Sequence, residues 1–298
     1  MAVFYYFNVQ VLPDSKEHGF IGKSGYKQIF TYLSQETQKN MSNKTIGKIA
    51  VKLKNDFYFA PVKIEVKDNY AQGYFRKFDQ ITSLKDFYTN SDVEFRGEKG
   101  LVTSKAYNFH FVFDFKKHIL AISDYENRLP APSVLEKCFE ELISLELDKV
   151  STHHHVESII LKDGTELKTL LDAPRFKSIN SSITFSNPED IEEFLEENVL
   201  ERELREHGVN KLGATFMAAA KGYITGLPKV AKAILKLSTK FGDAKGQYWD
   251  THADKYKSFA LHNFPVKIPL FRNKKMSDDQ YFTDIHSSIE DADNKTKG

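Results

Sequence analysis

Between Tyr107 and Phe115 every second residue carries an aromatic ring: Tyr107, Phe109, Phe111, Phe113 and Phe115, with Asn108, His110 and Asp114 among the intervening positions. Side chains alternate sides only in an extended chain, so this run predicts a strand with its rings against a core and its polar side toward water. Lys116-Lys117 then turns the chain, and His118 to Ile122 returns it as a hairpin partner.

The rest of the first half follows the same logic. Ala2 to Leu12 is dense in aromatic and β-branched residues and stops at Pro13-Asp14, which predicts a buried strand. Strands are also expected over Lys48 to Lys54, Phe57 to Val66 and Tyr74 to Phe78. Helical spacing runs from Ser24 to Gln38 through Tyr26, Ile29, Phe30 and Leu33. Pro130-Ala131-Pro132-Ser133 is a stop and a helix start for Val134 to Leu145. Farther on, Val156 to Leu161 and Ile179 to Phe185 read as strands, Glu166 to Leu171 as a short helix, and Leu212 to Ala220 fits either. A helix opening at Ser186-Asn187-Pro188-Glu189 is acidic, with nine carboxylates between Glu189 and Glu206 against Arg202 and Arg205. From Ser277 the chain turns polar and acidic, which predicts a disordered tail. At 298 residues and 41% hydrophobic content the chain can build two cores. The expected class is α+β: two domains, 1–150 and 151–276, with mixed or antiparallel sheets flanked by helices, then the tail 277–298.

Charge singles out one segment. Lys221 to Lys275 holds twelve Lys or Arg residues against three acids, a net of +9 in a chain whose total is +1. On a helical wheel Lys229, Lys232, Lys236 and Lys240 form one stripe, and Val230, Ile234 and Leu237 form another. Beyond them Lys245, Trp249, Lys255, Lys257, Lys274 and Lys275 extend a cationic track in which a ring could stack on bases. Nucleic acid, with DNA favoured, is therefore the expected partner, bound with little sequence preference because lysines grip phosphates without reading bases. Packing of the basic segment on the acidic helix, within the chain or between protomers of a homo-oligomer, is the competing use of the same charges.

Other chemistry is thin. Asp56 with Glu65-Val66-Lys67 resembles the carboxylates and lysine with which nucleases hold a divalent metal, yet the charges in Lys63 to Lys67 are also the outward side of an alternating strand. Gly22-Lys23-Ser24 lacks the glycine that a phosphate loop needs, since Glu17 stands there. His153-His154-His155 offers at most two metal ligands from one strand. The single Cys138 falls on the apolar side of its helix beside Leu135, Phe139 and Leu142, which predicts a buried thiol. No catalytic motif, metal site or cofactor is indicated. With no apolar run near 18 residues and no leader-like start, a soluble cytoplasmic protein without a membrane span is expected.

The succession Tyr107-Asn108-Phe109-His110-Phe111-Val112-Phe113-Asp114, His118 to Ile122, His155 to Leu161 and Ile183 to Asp190, closing with Leu237 to Gly246 and Phe264-Pro265, resembles an uncharacterised family of bacterial proteins met in mobile elements and phage-defence loci. The layout is also similar to the lambda exclusion protein RexA, in its C-terminal strand and basic helix. That resemblance implies a dimeric, sequence-tolerant DNA-binding protein acting in phage exclusion, alone or with a partner protein of a defence system.

Overall fold

The computed structural model describes residues 1–15, 17–81, 83–94, 101–184, 207 and 209–298. The acidic helix expected over Glu189 to Glu206, and the self-association reading built on it, lie outside the described residues.

The architecture is α+β, and every strand pairing is antiparallel. The larger sheet is built on β1 (Ala2–Pro13). One edge of β1 pairs with β8 (Ile119–Asp124), from which the sheet continues through β7 (Ala106–Asp114), β4 (Tyr70–Asp79) and β3 (Phe57–Val66) to β2 (Val51–Lys52). The other edge of β1 is shared by β15 (Lys267–Leu270) near its start and β9 (His154–Ile160) along its second half. The second sheet, in the order β11 (Lys211–Met217), β10 (Arg175–Thr184), β13 (Gly242–Asp250), β14 (Lys255–Ala260), carries β12 (Ile224–Thr225) on the edge of β10. A small hairpin joins β5 (Ser83–Lys85) and β6 (Asp92–Glu94). The helices are α1 (Lys23–Ser42), α2 (Pro132–Leu147), α3 (Gly164–Leu171), α4 (Lys229–Phe241) and α5 (Asp278–Lys297). Among the described residues no helix is long and apolar enough to cross a membrane.

The rings of β7 behave as their spacing predicts: Phe109, Phe111, Phe113 and Phe115 pack with Phe7, Phe59 and Phe75 under α1 and α2, through Ile29, Phe30, Leu33, Leu135 and Phe139. Cys138 is buried in this core, and burial pushes its thiol up to about 12. The other side of β7 departs from the expectation of a solvated face. His110 and Asp114 are buried, because α5 lies across that side. Residues 277–298, expected as a disordered tail, form this helix. Ser277 accepts a hydrogen bond from the Gln280 N–H as its cap, and Tyr281, Phe282, Ile285, Ile289 and Ala292 pack against Phe4, Tyr6, Val112, Ile119 and Ala121. Ser288 shares a 2.7 Å hydrogen bond with Tyr6, and His286 one of the same length with Asp114.

The expected domain break at residue 150 does not coincide with a sheet boundary. Two strands from the second half, β9 and β15, complete the first sheet. The second sheet has its own core, in which Leu167 and Leu170 of α3 and Ala231 and Leu235 of α4 cover Phe176, Ile179, Ala244 and Phe259. Gly242, where α4 passes directly into β13, lies so close to β10 that a Cβ there would sit 1.8 Å from the Ser182 carbonyl oxygen.

Candidate nucleic-acid interface

Helix α4 buries Ile234 and Leu237 and leaves Lys229, Lys232 and Lys236 exposed, as the wheel predicts, but it also buries Ala231 and Leu235 while Val230, expected on the apolar stripe, is exposed in the first turn. Lys240 departs from it. Its side chain is 4% exposed and pairs at 2.9 Å with Asp293 of α5, itself 4% exposed. A helical wheel supplies angles and not neighbours, and at this end of α4 the solvent side is occupied by α5. Lys240 is therefore removed from the predicted phosphate-binding stripe. Asp293 also accepts from Lys117 at 3.0 Å. Burial works to raise its pKa, but these two ammonium groups outweigh it and hold the carboxyl below its usual range.

The remaining predicted cations do not form one track. In β13, Ala244 faces the core shared with α4, so strand alternation turns Lys245 to the opposite, open side of the sheet. Trp249 lies on that open side too, while Lys255 and Lys257 alternate to the helix side at the edge, where Lys257 is ion-paired with Asp250. Lys274 and Lys275 precede α5, and fifteen helical residues separate its start from Asp293, about 20 Å at 1.5 Å per residue.

The open side has an order of its own, given by strand register. One row crosses the sheet as Thr215, Asn180, Lys245 and Ala260, and the next as Met217, Ser178, Gln247 and Ser258. Beyond them Trp249 pairs with Tyr256, their rings edge to face at 5.0 Å. The Lys177 ammonium lies 5.2 Å from the Tyr256 ring centroid. Thr215, Asn180, Lys245, Gln247, Ser258 and Met217 are exposed. The two central rows thus present amides, hydroxyls and one ammonium group, with no carboxylate, and end on an aromatic pair. Sequence reasoning found Lys245 and Trp249, with Tyr256 among the rings beside them, but missed Lys177. The alternation Lys245, Gln247, Trp249 opposite Tyr256, Ser258 was the available signal.

At its other end this face runs into a cleft of about 730 Å³ between α2, β9 and the ends of β10 and β13, which include Ser182, Thr184 and Asp243. Glu136 and Glu140, one turn apart on α2, accept hydrogen bonds from the Ile160 and Ser158 backbone N–H groups at 2.8 and 3.0 Å. One helical turn nearly matches two strand residues, so α2 satisfies the edge of β9 that β1 does not pair. Burial raises both carboxyls. Lys162 is 2% exposed and donates its Nζ to the Gly242 carbonyl; burial lowers its pKa to about 8 against the pull of Asp243 and Glu136. Asp243 receives His262 Nδ1 at 2.9 Å, and Lys211 lies 3.8 Å from Glu157.

The other candidates separate. Asp56 sits 84% exposed in the turn before β3, whereas Glu65 is near that strand's far end, about 30 Å away at 3.3 Å per residue. Glu65 is held by Lys67 and by Gln72 at 2.9 Å. The two carboxylates cannot share a metal, so the nuclease reading is corrected. Among the described residues no group of three His, Cys, Asp or Glu could hold a metal ion. Lys23 donates to Asn69 at 2.6 Å. His154 bridges Ser151 and the Gly19 carbonyl, His155 bonds Asp14, and the His153 ring stacks on His18, so the histidine cluster fastens β9 to the loop after β1.

A family model of a domain of unknown function, DUF4747, matches residues 3–287. The chain belongs to the DUF4747 family. The match takes in both sheets and the first half of α5, so open face and cleft alike fall within the DUF4747 domain. No curated protein matches the chain.

Proposed function

We propose that this DUF4747 protein binds nucleic acid, without catalysis and with little sequence preference, on the open face of its second sheet. The observation that carries the reading is the joining of Trp249 and Tyr256 with Lys245 and Lys177 on an exposed antiparallel face free of carboxylates in its central rows. Rings offer a stacking surface to any base, and ammonium groups beside them hold the backbone, which favours single strands over duplexes. Lys245 and Trp249 lie four residues apart, about 13 Å along the strand, so a strand of several nucleotides would span both. Action in phage exclusion, as a homo-oligomer or with a partner protein, is implied by the sequence resemblance, and it belongs to the same proposal together with a cytoplasmic location.

Trp249 is the chain's one tryptophan, so its fluorescence reports on this face directly. Titration with single- and double-stranded DNA and RNA over a salt series should quench it, most strongly with single strands. W249A should weaken binding by about 1–3 kcal/mol per stacked base. K245E and K177E should each lower the dependence of log Kd on log salt by about 0.7. Binding that persists in W249A and K245E but is lost in the K229E/K232E/K236E variant would move the site to α4 and refute this reading.

A further inference from the structure

We propose that the cleft between α2, β9 and β13 binds a linear organic dication, a diamine or polyamine. Four carboxylates line it, from Glu136, Glu140, Glu157 and Asp243, against two ammonium groups, from Lys162 and Lys211. Against these ammonium groups the carboxylates have two negative charges in excess, with His155 and His262 also in the lining and His262 paired with Asp243, and the charges are not evenly neutralised. Lys211 lies beside Glu157 and Lys162 is turned onto a backbone carbonyl. Glu136 and Glu140 each use Oε1 on β9, and neither has an ammonium group within 4 Å among the described residues. Two further acceptors in the lining lack any hydrogen-bond donor among the described residues: Asp243 Oδ1, and the Oγ of Ser158, a residue only 5% exposed. The site thus offers surplus acceptors and surplus negative charge at once, and its complement is a molecule with several N–H donors and two separated positive charges.

Spacing narrows the class. Glu136 and Glu140 stand one helical turn apart, about 5–6 Å between their Cβ atoms, which suits the two ammonium groups of a three- or four-carbon diamine. A volume of about 730 Å³ is far larger than one ion needs and accepts a chain reaching from α2 across to Asp243. A single divalent metal fits less well, because no three of these side chains converge as ligands. The inference stands apart from the nucleic-acid proposal, since Trp249 and Lys245 take no part in it.

Calorimetry on the full chain with putrescine and spermidine, with butylamine and magnesium chloride at matched ionic strength, tests it. Putrescine or spermidine should bind at least tenfold more tightly than butylamine or magnesium. The E136Q/E140Q variant keeps acceptors for the β9 N–H groups and should lose at least tenfold in affinity, while W249A and K245E leave it unchanged. If the double variant fails to fold, D243N reads the same loss from the opposite wall. Equal binding of magnesium and diamine, undiminished affinity in the carboxamide variants, or no diamine binding would each overturn the proposal.

Discussion

Replacing Lys240 by alanine should destabilise the protein far more than any other lysine change on α4. Lys240 and Asp293 are each 4% exposed and 2.9 Å apart, so removing the cation leaves a carboxylate buried with less than its full compensation. Breaking such a pair by truncating one partner costs about 3–5 kcal/mol. Lys117 stays 3.0 Å from Asp293 and keeps part of the compensation, which places the loss near ~3 kcal/mol. For a chain of 298 residues that corresponds to a fall in Tm of about 5 °C. K236A, one turn earlier and exposed, should change stability by less than about 0.5 kcal/mol. The double change K240M/D293M, which removes both charges and refills the space, should recover most of the loss. The lowered Asp293 carboxyl adds a pH signature: its contribution is complete above the ordinary value of 3.8 and disappears as pH falls through the folded value, so wild type and K240A should converge in acid. Urea unfolding followed by circular dichroism at pH 7 and pH 3 measures all of this. A K240A loss below about 1 kcal/mol, or one equal to that of K236A, would refute the buried-pair reasoning.

Deleting residues 277–298 should remove the cover from Phe4, Tyr6 and Val112; with Tyr281, Phe282, Ile285 and Ile289 worth ~2 kcal/mol each, the roughly 8 kcal/mol lost matches the net stability of a typical domain, so the truncated chain should be insoluble on expression, and a soluble, cooperatively melting product would contradict the packing of α5. His110 is buried among Tyr74, Tyr125, Tyr281, Phe282 and Arg272, and burial with the Arg272 charge lowers its pKa to about 4. The folded state binds this proton less readily than the unfolded one, so stability should fall by about 3 kcal/mol as pH drops from the ordinary 6.5 to 4, and H110Q should flatten that slope in pH-dependent urea unfolding.

What the sequence determined by itself is local and periodic. The alternating rings of β7, the aromatic run of β1, the Pro-led start of α2 and the apolar stripe of α4 each state their conformation and one buried side, because a two-residue or 3.6-residue repeat is a property of the segment alone. Helix α5 was legible on the same grounds, since Tyr281, Ile285, Ile289 and Ala292 recur at helical spacing after the Ser277 cap; the surrounding acids and amides hid it in the average composition. Its destination was not legible. Only tertiary structure laid α5 over His110 and Asp114, which turned a strand with one polar side into one buried on both, and gave Lys240 a carboxylate from a helix more than fifty residues away. Likewise, the +9 segment was visible as a sum, but β13 divides it, sending Lys245 and Trp249 to one face of a sheet and α4 to the other. The cleft joins residues near positions 136–140, 155–162, 182–184 and 242–243. Charge counts and periodicities are one-dimensional, whereas which charges meet, and which are covered, depends on contacts between segments that no spacing along the chain encodes.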